Sequence, residues 1–283
     1  MNWKSFGVRV GLVVVAFPVF ALLIFGIPHL HHLAFNVAVV AATIAGAYEM
    51  AALFRARGIS TSRHLAPLLS AAFPIGAYLE VSGMFSPGWM GIWVPAAMGI
   101  LLVRAVFFHG DRKLTSVLAF TSSSIFTFFY PGFFLAWIVR FSALREPSLS
   151  ILYFLCLVFG NDMLAYFAGS LWGSSSRLNL AISPNKSLLG FVAGLVGSLI
   201  IVGLFQAAVP AFPGFAVPWK VLLGLGTGLT VIVGDLLESG LKRSAAVKDS
   251  SGIIPGRGGI LDSVDSMIFT APLYYYALLL SGG

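Results

Sequence analysis

The stretch at residues 188–209, LLGFVAGLVGSLIIVGLFQAAV, decides the fold because it contains no charged residue. A membrane-spanning helix needs about 20 consecutive apolar residues, and this stretch is long enough. The whole chain has a similar character: 58% of its 283 residues are hydrophobic and 10% are charged, against roughly 25% charged in a typical soluble domain. This composition excludes a nucleic-acid-binding protein, a secreted disulfide scaffold and a disordered chain. It predicts an integral membrane protein.

Nine segments of this kind are predicted as membrane spans. They lie at residues 10–27, 35–54, 65–82, 88–108, 115–139, 149–171, 188–209, 218–240 and 266–281. The predicted fold is therefore all-α, a polytopic membrane protein with about nine transmembrane helices. Counts of eight or ten remain alternatives, with the fifth span broken into two helices at Pro131 or a short span missed. We expect a single transmembrane domain over 1–283, with an N-terminal helical region at 1–145 and a motif-bearing region at 146–283.

The positive charges orient these spans. With the N-terminus inside, 14 of the 17 Lys and Arg residues fall on the inner side and three, Arg140, Arg145 and Lys220, on the outer side. This asymmetry agrees with the positive-inside rule. One wrongly assigned span would reverse every later segment and remove the asymmetry. The C-terminus is then predicted outside, and the net charge of +7 mainly reports orientation.

Half of the ten acidic residues gather in one stretch on the inner side. These are Asp235, Glu238, Asp249, Asp262 and Asp265, and the cations Lys242, Arg243, Lys248 and Arg257 lie among them. An ordinary charged loop is the alternative, but such a loop needs cations and not five carboxylates. If the eighth span continues as a helix to about residue 243, it places four polar residues on one face. They are Asp235, Glu238, Ser239 and Lys242.

The spacing of Asp262 and Asp265 predicts a cation site. The two residues share a helix face at the start of the last span, where their carboxylates repel each other unless a cation holds them. Oxygen ligands of this kind suit Mg²⁺ bound together with substrate phosphates. A favourable interaction with the helix dipole is the alternative. Four glycines within residues 252–259, with cations on both sides, predict a phosphate-binding loop.

Two further polar residues precede this stretch. Asp162 lies in the middle of the sixth predicted span, beside Asn161. An ionisable residue at such a depth indicates a function. Lys186 lies just before the seventh span, in a position to meet a phosphate. A simple capping turn with an inner-side lysine is the alternative there.

In their order along the chain, these motifs resemble the phosphatidate cytidylyltransferases, also called CDP-diacylglycerol synthases. The resemblance is carried by NDMLAYFAG at 161–169, SPNKS at 183–187 with Gly190, GDLLES at 234–239, LKR at 241–243, KD at 248–249 and PGRGGILDSVD at 255–265. The chain departs from the family pattern at Arg257, Ser263, Met163 and Leu189. At these four positions, in the same order, family members have His, Arg, Ser or Thr, and Glu or Gln. The N-terminal half resembles the family only as a polytopic membrane region.

The resemblance implies transfer of CMP from CTP to phosphatidate, with release of pyrophosphate, in an enzyme of the inner membrane. It implies Mg²⁺, with a second cation left open, on the ligands Asp235, Asp262 and Asp265. The implied catalytic residues are Asp235, Lys242, Arg243, Lys248, Asp249 and Asp262. The implied substrate-binding residues are Asp162, Lys186, Ser239, Gly258 and Gly259. The expected partners are CTP, phosphatidate and membrane lipids, with no nucleic acid; a homodimer is compatible with the sequence.

Two other functions remain open. The first is a different CTP-dependent membrane lipid enzyme, similar to a CDP-archaeol synthase or a polyprenol kinase, and its product distinguishes it. A kinase adds only a phosphate to the lipid, whereas a cytidylyltransferase adds CMP. The second is a transporter with Asp162 on its ion path. It is less favoured because transporters often contain an internal repeat, and none is visible in this sequence.

Overall fold

The computed structural model describes residues 17–107, 116–210, 212 and 214–281. These residues are mainly helical, and the β-type pairs among them are isolated bridges rather than strands. The predicted all-α class is therefore confirmed. The start of the first predicted span and the cations Lys4, Arg9, Arg112 and Lys113 lie outside the described residues.

The helices coincide with the predicted spans, with one division. They are α1 His29–Ala56, α2 Leu65–Ser70, α3 Ala72–Val81, α4 Met90–Phe107, α5 Val117–Arg140, α6 Pro147–Trp172, α7 Leu188–Ala208, α8 Val217–Ser244 and α9 Leu261–Leu280. The third predicted span is divided into α2 and α3 at Ala71. Helix α5 runs through Pro131 without a break, so the fifth predicted span is one helix. Membrane helices tolerate such a proline because neighbouring groups satisfy the freed backbone.

Six helical segments of the described chain are long and apolar enough to cross a membrane. They are His29–Ala56, Met90–Phe107, Val117–Ala143, Pro147–Ser176, Leu188–Ala208 and Val217–Ser244. Shorter apolar helices occupy Phe17–Gly26 and Leu65–Val81. A multi-pass membrane protein is thus confirmed, while the count of nine spans and their orientation stay predictions.

The first of two compact units contains the chain up to Arg140 together with Ser244–Val264. Helix α5 lies at its centre and packs against α1, α2, α3 and α4. Phe73 of α3 is fully buried against Phe128 of α5, with ring centroids 4.7 Å apart. Gly132 makes this contact possible, because an added Cβ would lie 2.6 Å from the Phe73 ring.

The second unit contains Phe141–Arg243 and the residues from Asp265 onward. Helices α6 and α7 pack closely along each other. Between them the buried Asn161 donates a hydrogen bond from Nδ2 to Ser198 Oγ at 2.9 Å. Helix α9 is attached to α6 by Tyr274, whose buried hydroxyl donates to the Ser150 carbonyl at 2.7 Å. That the chain forms one transmembrane domain stays a prediction.

Candidate active site

Helix α8 extends to Ser244, which is the condition under which the sequence places Asp235, Glu238, Ser239 and Lys242 on one face. Glu238 is fully buried and forms an ion pair with Lys242, one turn later. Lys242 and Arg243 occupy the last turn of the helix, where the helix dipole favours cations. Because the carboxylate of Glu238 is enclosed, it fixes the direction of the Lys242 side chain.

A tight loop before α7 brings Lys186 to Asp235, with which it forms an ion pair. In this loop the Leu178 N–H donates to the Lys186 carbonyl at 2.9 Å. Ser187 is the N-cap of α7, and its Oγ accepts a hydrogen bond from the Gly190 N–H at 3.1 Å. Gly173 leaves room for this cap, because an added Cβ would lie 2.4 Å from Ser187 Oγ. The capping turn is therefore present, but Ser187 provides it, and the Lys186 ammonium is directed to a carboxylate.

A close contact between α8 and α9 brings Asp265 near Asp235. The contact is made at Gly234, where an added Cβ would lie 2.5 Å from the Asp265 carbonyl oxygen. The Asp265 carboxylate interacts electrostatically with Asp235 and Asp162, and with opposite sign with Lys242. Asp235 and Asp162 of the second unit therefore both lie within electrostatic reach of Asp265. Like charges so placed repel, and cations relieve the repulsion.

The pair Asp235 and Asp265 supplies carboxylate oxygens, the kind of ligand that Mg²⁺ prefers. This ion is usually held by one or two carboxylates, with waters and substrate phosphates completing the shell. Within residues 17–107, 116–210, 212 and 214–281, no group of three or more His, Cys, Asp or Glu side chains is arranged to hold a metal ion. A site made of two carboxylates and ligand phosphates agrees with both facts. All three predicted Mg²⁺ ligands, Asp235, Asp262 and Asp265, stay predictions.

The glycine-rich loop of the first unit adopts the conformations that glycine permits. Gly256 and Gly258 have φ of 74° and 109°, which other residues rarely adopt. Ile254 and Gly258 close the turn between them, with N–H to carbonyl distances of 2.7 and 3.0 Å. At Gly259 an added Cβ would lie 2.1 Å from Ser250 Oγ. Both predicted substrate-binding glycines are therefore required by the local geometry.

Asp262 is bound to this loop. Its Oδ2 accepts hydrogen bonds from the Ser250 N–H at 2.8 Å, the Ser250 hydroxyl at 2.6 Å and the Gly259 N–H at 2.7 Å. Lys248 and Asp249 are exposed at the start of the loop. Asp262 thus fixes the backbone of the loop, a role that the sequence did not indicate.

Glu49 of α1 is buried beneath the same loop and is 4% exposed. Its Oε1 accepts hydrogen bonds from the Ser251 hydroxyl at 2.6 Å and the Ile260 N–H at 3.0 Å. Its Oε2 accepts from the Leu261 N–H at 2.7 Å and lies 2.9 Å from the Ser250 hydroxyl, whose single proton is shared with Asp262 Oδ2. Three donors and this shared hydroxyl compensate for the burial of the carboxylate, which would otherwise be costly.

Most of the chain matches the model of a known protein family. The family model for cytidylyltransferases matches residues 7–281. The chain belongs to the cytidylyltransferase family.

Individual relatives agree with this family. A phosphatidate cytidylyltransferase of Synechocystis is 31% identical over 274 residues, which cover 87% of this chain and 88% of that protein. The chloroplastic phosphatidate cytidylyltransferase 5 of Arabidopsis thaliana is 30% identical over 277 residues, or 88% of this chain and 66% of that protein. The phosphatidate cytidylyltransferase of Bacillus subtilis is 38% identical over 154 residues, or 53% and 55%.

In this cytidylyltransferase the predicted site residues form two groups. The second unit contains Asp162, Lys186, Asp235, Ser239, Lys242, Arg243 and Asp265, and the first contains Lys248, Asp249, Gly258, Gly259 and Asp262. Sequence reasoning missed Glu49, although a signal for it was present. It is an acid inside the second predicted span, and the argument from depth that singled out Asp162 applies to it equally.

Proposed function

We propose that this chain transfers CMP from CTP to phosphatidate, giving CDP-diacylglycerol and pyrophosphate. The observation that carries the proposal is the match to the cytidylyltransferase family over residues 7–281. A phosphatidate cytidylyltransferase that aligns over 87% of the chain supports the choice of lipid substrate.

The proposed reaction is a direct displacement at phosphorus. The phosphate of phosphatidate is a monoester, and at pH 7 it is largely a dianion because its second pKa is about 6. One of its oxygens forms a bond to the α-phosphorus of CTP while the bond from that phosphorus to the bridging oxygen breaks. Pyrophosphate leaves with the electron pair of that bond. No side chain has to remove a proton, so the main barrier is repulsion between two anions and their alignment.

We assign to the charged residues the role of lowering this barrier. Asp235 and Asp265 would hold Mg²⁺, with Asp262 as the predicted further ligand; when bound, the ion neutralises charge on the phosphates. The cations that would hold the phosphates are Lys186, Lys242, Arg243 and Lys248. Gly258 and Gly259 let the loop backbone approach a phosphate, as their lack of side chains permits. Asp162, Ser239 and Asp249 would orient these groups.

The proposed location is the cytoplasmic membrane, with the site on the inner side. The inner-side excess of Lys and Arg, 14 of 17, supports this orientation. Phosphatidate would then enter sideways from the bilayer with its phosphate at the interface, and CTP would arrive from the cytosol. A homodimer is compatible with the proposal and is not needed for the chemistry.

Incubation with two differently labelled forms of CTP tests this function. Purified protein in detergent is mixed with Mg²⁺, phosphatidate and CTP labelled at the α- or the γ-phosphate. We expect the α label to appear in a CDP-lipid and the γ label in pyrophosphate. Recovery of the γ label in the lipid would instead identify a kinase and overturn the proposal.

Substitutions in the same assay test the metal assignment. Asp235→Asn and Asp265→Asn are expected to lower turnover at least 100-fold and to raise the Mg²⁺ concentration needed for half activity. Glu146→Gln, outside every motif, is the control and should keep wild-type turnover. Near-normal activity of both Asn variants with an unchanged Mg²⁺ requirement would remove the two carboxylates from the proposal.

A further inference from the structure

We propose that Glu49 is the positioning residue of this enzyme, clamping the loop at residues 250–261 in the form that binds the triphosphate of CTP. The inference rests on the proposed function and adds to it a residue outside the recognised motifs. Glu49 itself would touch neither substrate nor metal. It would act through the loop, which carries Gly258, Gly259 and the contacts of Asp262.

The clamp joins both ends of the loop. At its start Ser251 donates its hydroxyl to the Glu49 carboxylate, and the Ser250 hydroxyl lies 2.9 Å from the same carboxylate. Ile260 and Leu261 at its end donate their backbone N–H groups to the same carboxylate. These residues are separated from Glu49 by more than 200 positions in the sequence, so α1 supplies the fixed point to which the loop is held.

The clamp has little room for adjustment. At Gly259, between the two ends, an added Cβ would lie 2.4 and 2.5 Å from the two carboxylate oxygens of Glu49. The loop backbone therefore lies directly against the carboxylate. Ser250 is shared, because its hydroxyl also lies 2.6 Å from Asp262 Oδ2. A displacement of Glu49 is thus transmitted to Asp262 through one side chain.

The clamp requires a carboxylate and not merely a polar group. Each oxygen of Glu49 accepts one backbone N–H, so both oxygens must be acceptors. In a Glu49→Gln variant one oxygen becomes an NH₂ group, which only donates. A serine hydroxyl can rotate to accept from it, but a backbone N–H cannot. One of the two N–H groups at the start of α9 therefore loses its partner, whichever way the amide is oriented.

The expected consequence is weaker CTP binding with retained chemistry. If the clamped loop is the form that binds phosphate, unclamping lowers the fraction of enzyme ready to bind. The apparent dissociation constant then rises by the inverse of that fraction. The loss of one buried hydrogen bond of this kind corresponds to about a tenfold effect or more. Saturating CTP draws the loop back to the clamped form, so kcat is largely recovered.

The experiment compares three variants of the full-length protein in the CTP assay. Glu49→Gln is expected to raise KM for CTP about tenfold or more, and Ser251→Ala, which removes one hydrogen bond to Glu49, to raise it by a smaller factor. Glu80→Gln is the matched control. Glu80 is also a buried carboxylate of the first unit, and it pairs with Arg140 at 2.5 Å. Its loss should lower the melting temperature and leave KM for CTP unchanged.

A second measurement does not depend on catalysis. Amide hydrogen exchange at Ile260 and Leu261 should be faster in Glu49→Gln than in wild type, and unchanged in Glu80→Gln. An inactive wild-type protein would refute the proposed function, while the exchange data would still test the clamp. An active wild type with unchanged KM and unchanged exchange in Glu49→Gln would refute the clamp alone. If Glu49→Gln does not fold, Ser251→Ala decides the question by the same two readouts.

Discussion

Gly234→Ala is expected to move Asp235 and Asp265 apart without removing any charged side chain. The added Cβ would lie 2.5 Å from the carbonyl oxygen of Asp265 and 3.1 Å from Cα of Ser266. Both of these atoms belong to the backbone of α9, so no side-chain rotation relieves the contact. Helices α8 and α9 must move apart at the point where the two carboxylates approach.

The size of this movement follows from ordinary contact distances. A Cβ contact of 3.4 Å is normal, so the shorter contact requires a shift of roughly 0.9 Å. Overpacking of this kind costs about 1–3 kcal/mol, and the better helix propensity of Ala returns up to about 1 kcal/mol. Stability should therefore fall by no more than about 3 kcal/mol. A misplacement of about 1 Å at a reacting centre lowers the rate about 100-fold.

The assay is CTP-dependent formation of a CDP-lipid, measured together with thermal unfolding of the purified protein. Turnover of Gly234→Ala should fall about 100-fold while the protein remains folded at the assay temperature. Gly203→Ala on α7 is the control, because an added Cβ there has no neighbour within 4 Å. Wild-type turnover in Gly234→Ala would show that the α8–α9 contact does not set the geometry of the site.

Two further predictions concern the loops. Gly259→Ala should abolish detectable turnover, because its Cβ would lie 2.1 Å from Ser250 Oγ. Gly252→Ala is the control and should retain turnover, because an added Cβ there has no neighbour within 4 Å. Equal activities of the two variants would contradict the required close approach of the backbone at Gly259. Lys186→Met should raise KM for CTP by about 10- to 100-fold, the value of a charge-assisted hydrogen bond, and Lys186→Arg should restore part of the loss. Identical KM values for Lys186→Met and wild type would exclude a phosphate contact.

The sequence predicted those features that depend on local periodicity. Apolar length predicted where the helices lie, and α8 continues to Ser244, which is the extension that puts Asp235 and Lys242 on one face. The glycines of the loop permit positive φ, and Gly256 and Gly258 adopt it.

Contacts between distant segments could not be predicted in the same way. Nothing in the local pattern of α1 indicates that Glu49 accepts hydrogen bonds from Ile260 and Leu261, because such pairing is decided by packing. The same holds for Gly234, whose closeness to Asp265 depends on how α9 lies against α8. The division of the third span at Ala71 did have a local signal in Pro74, which has no N–H to bond the Ser70 carbonyl.

The ion pair between Lys186 and Asp235 has a consequence for the order in which ligands bind. Under the proposed function, a Mg²⁺ ion at Asp235 competes with the Lys186 ammonium for the same carboxylate. The ammonium displaced in this way becomes available to an incoming phosphate. Metal and nucleotide would then strengthen each other's binding by the same factor, because such coupling is reciprocal. Without the metal, the Lys186 ammonium and the Asp235 carboxylate neutralise each other. Binding of the metal would free the ammonium for a phosphate.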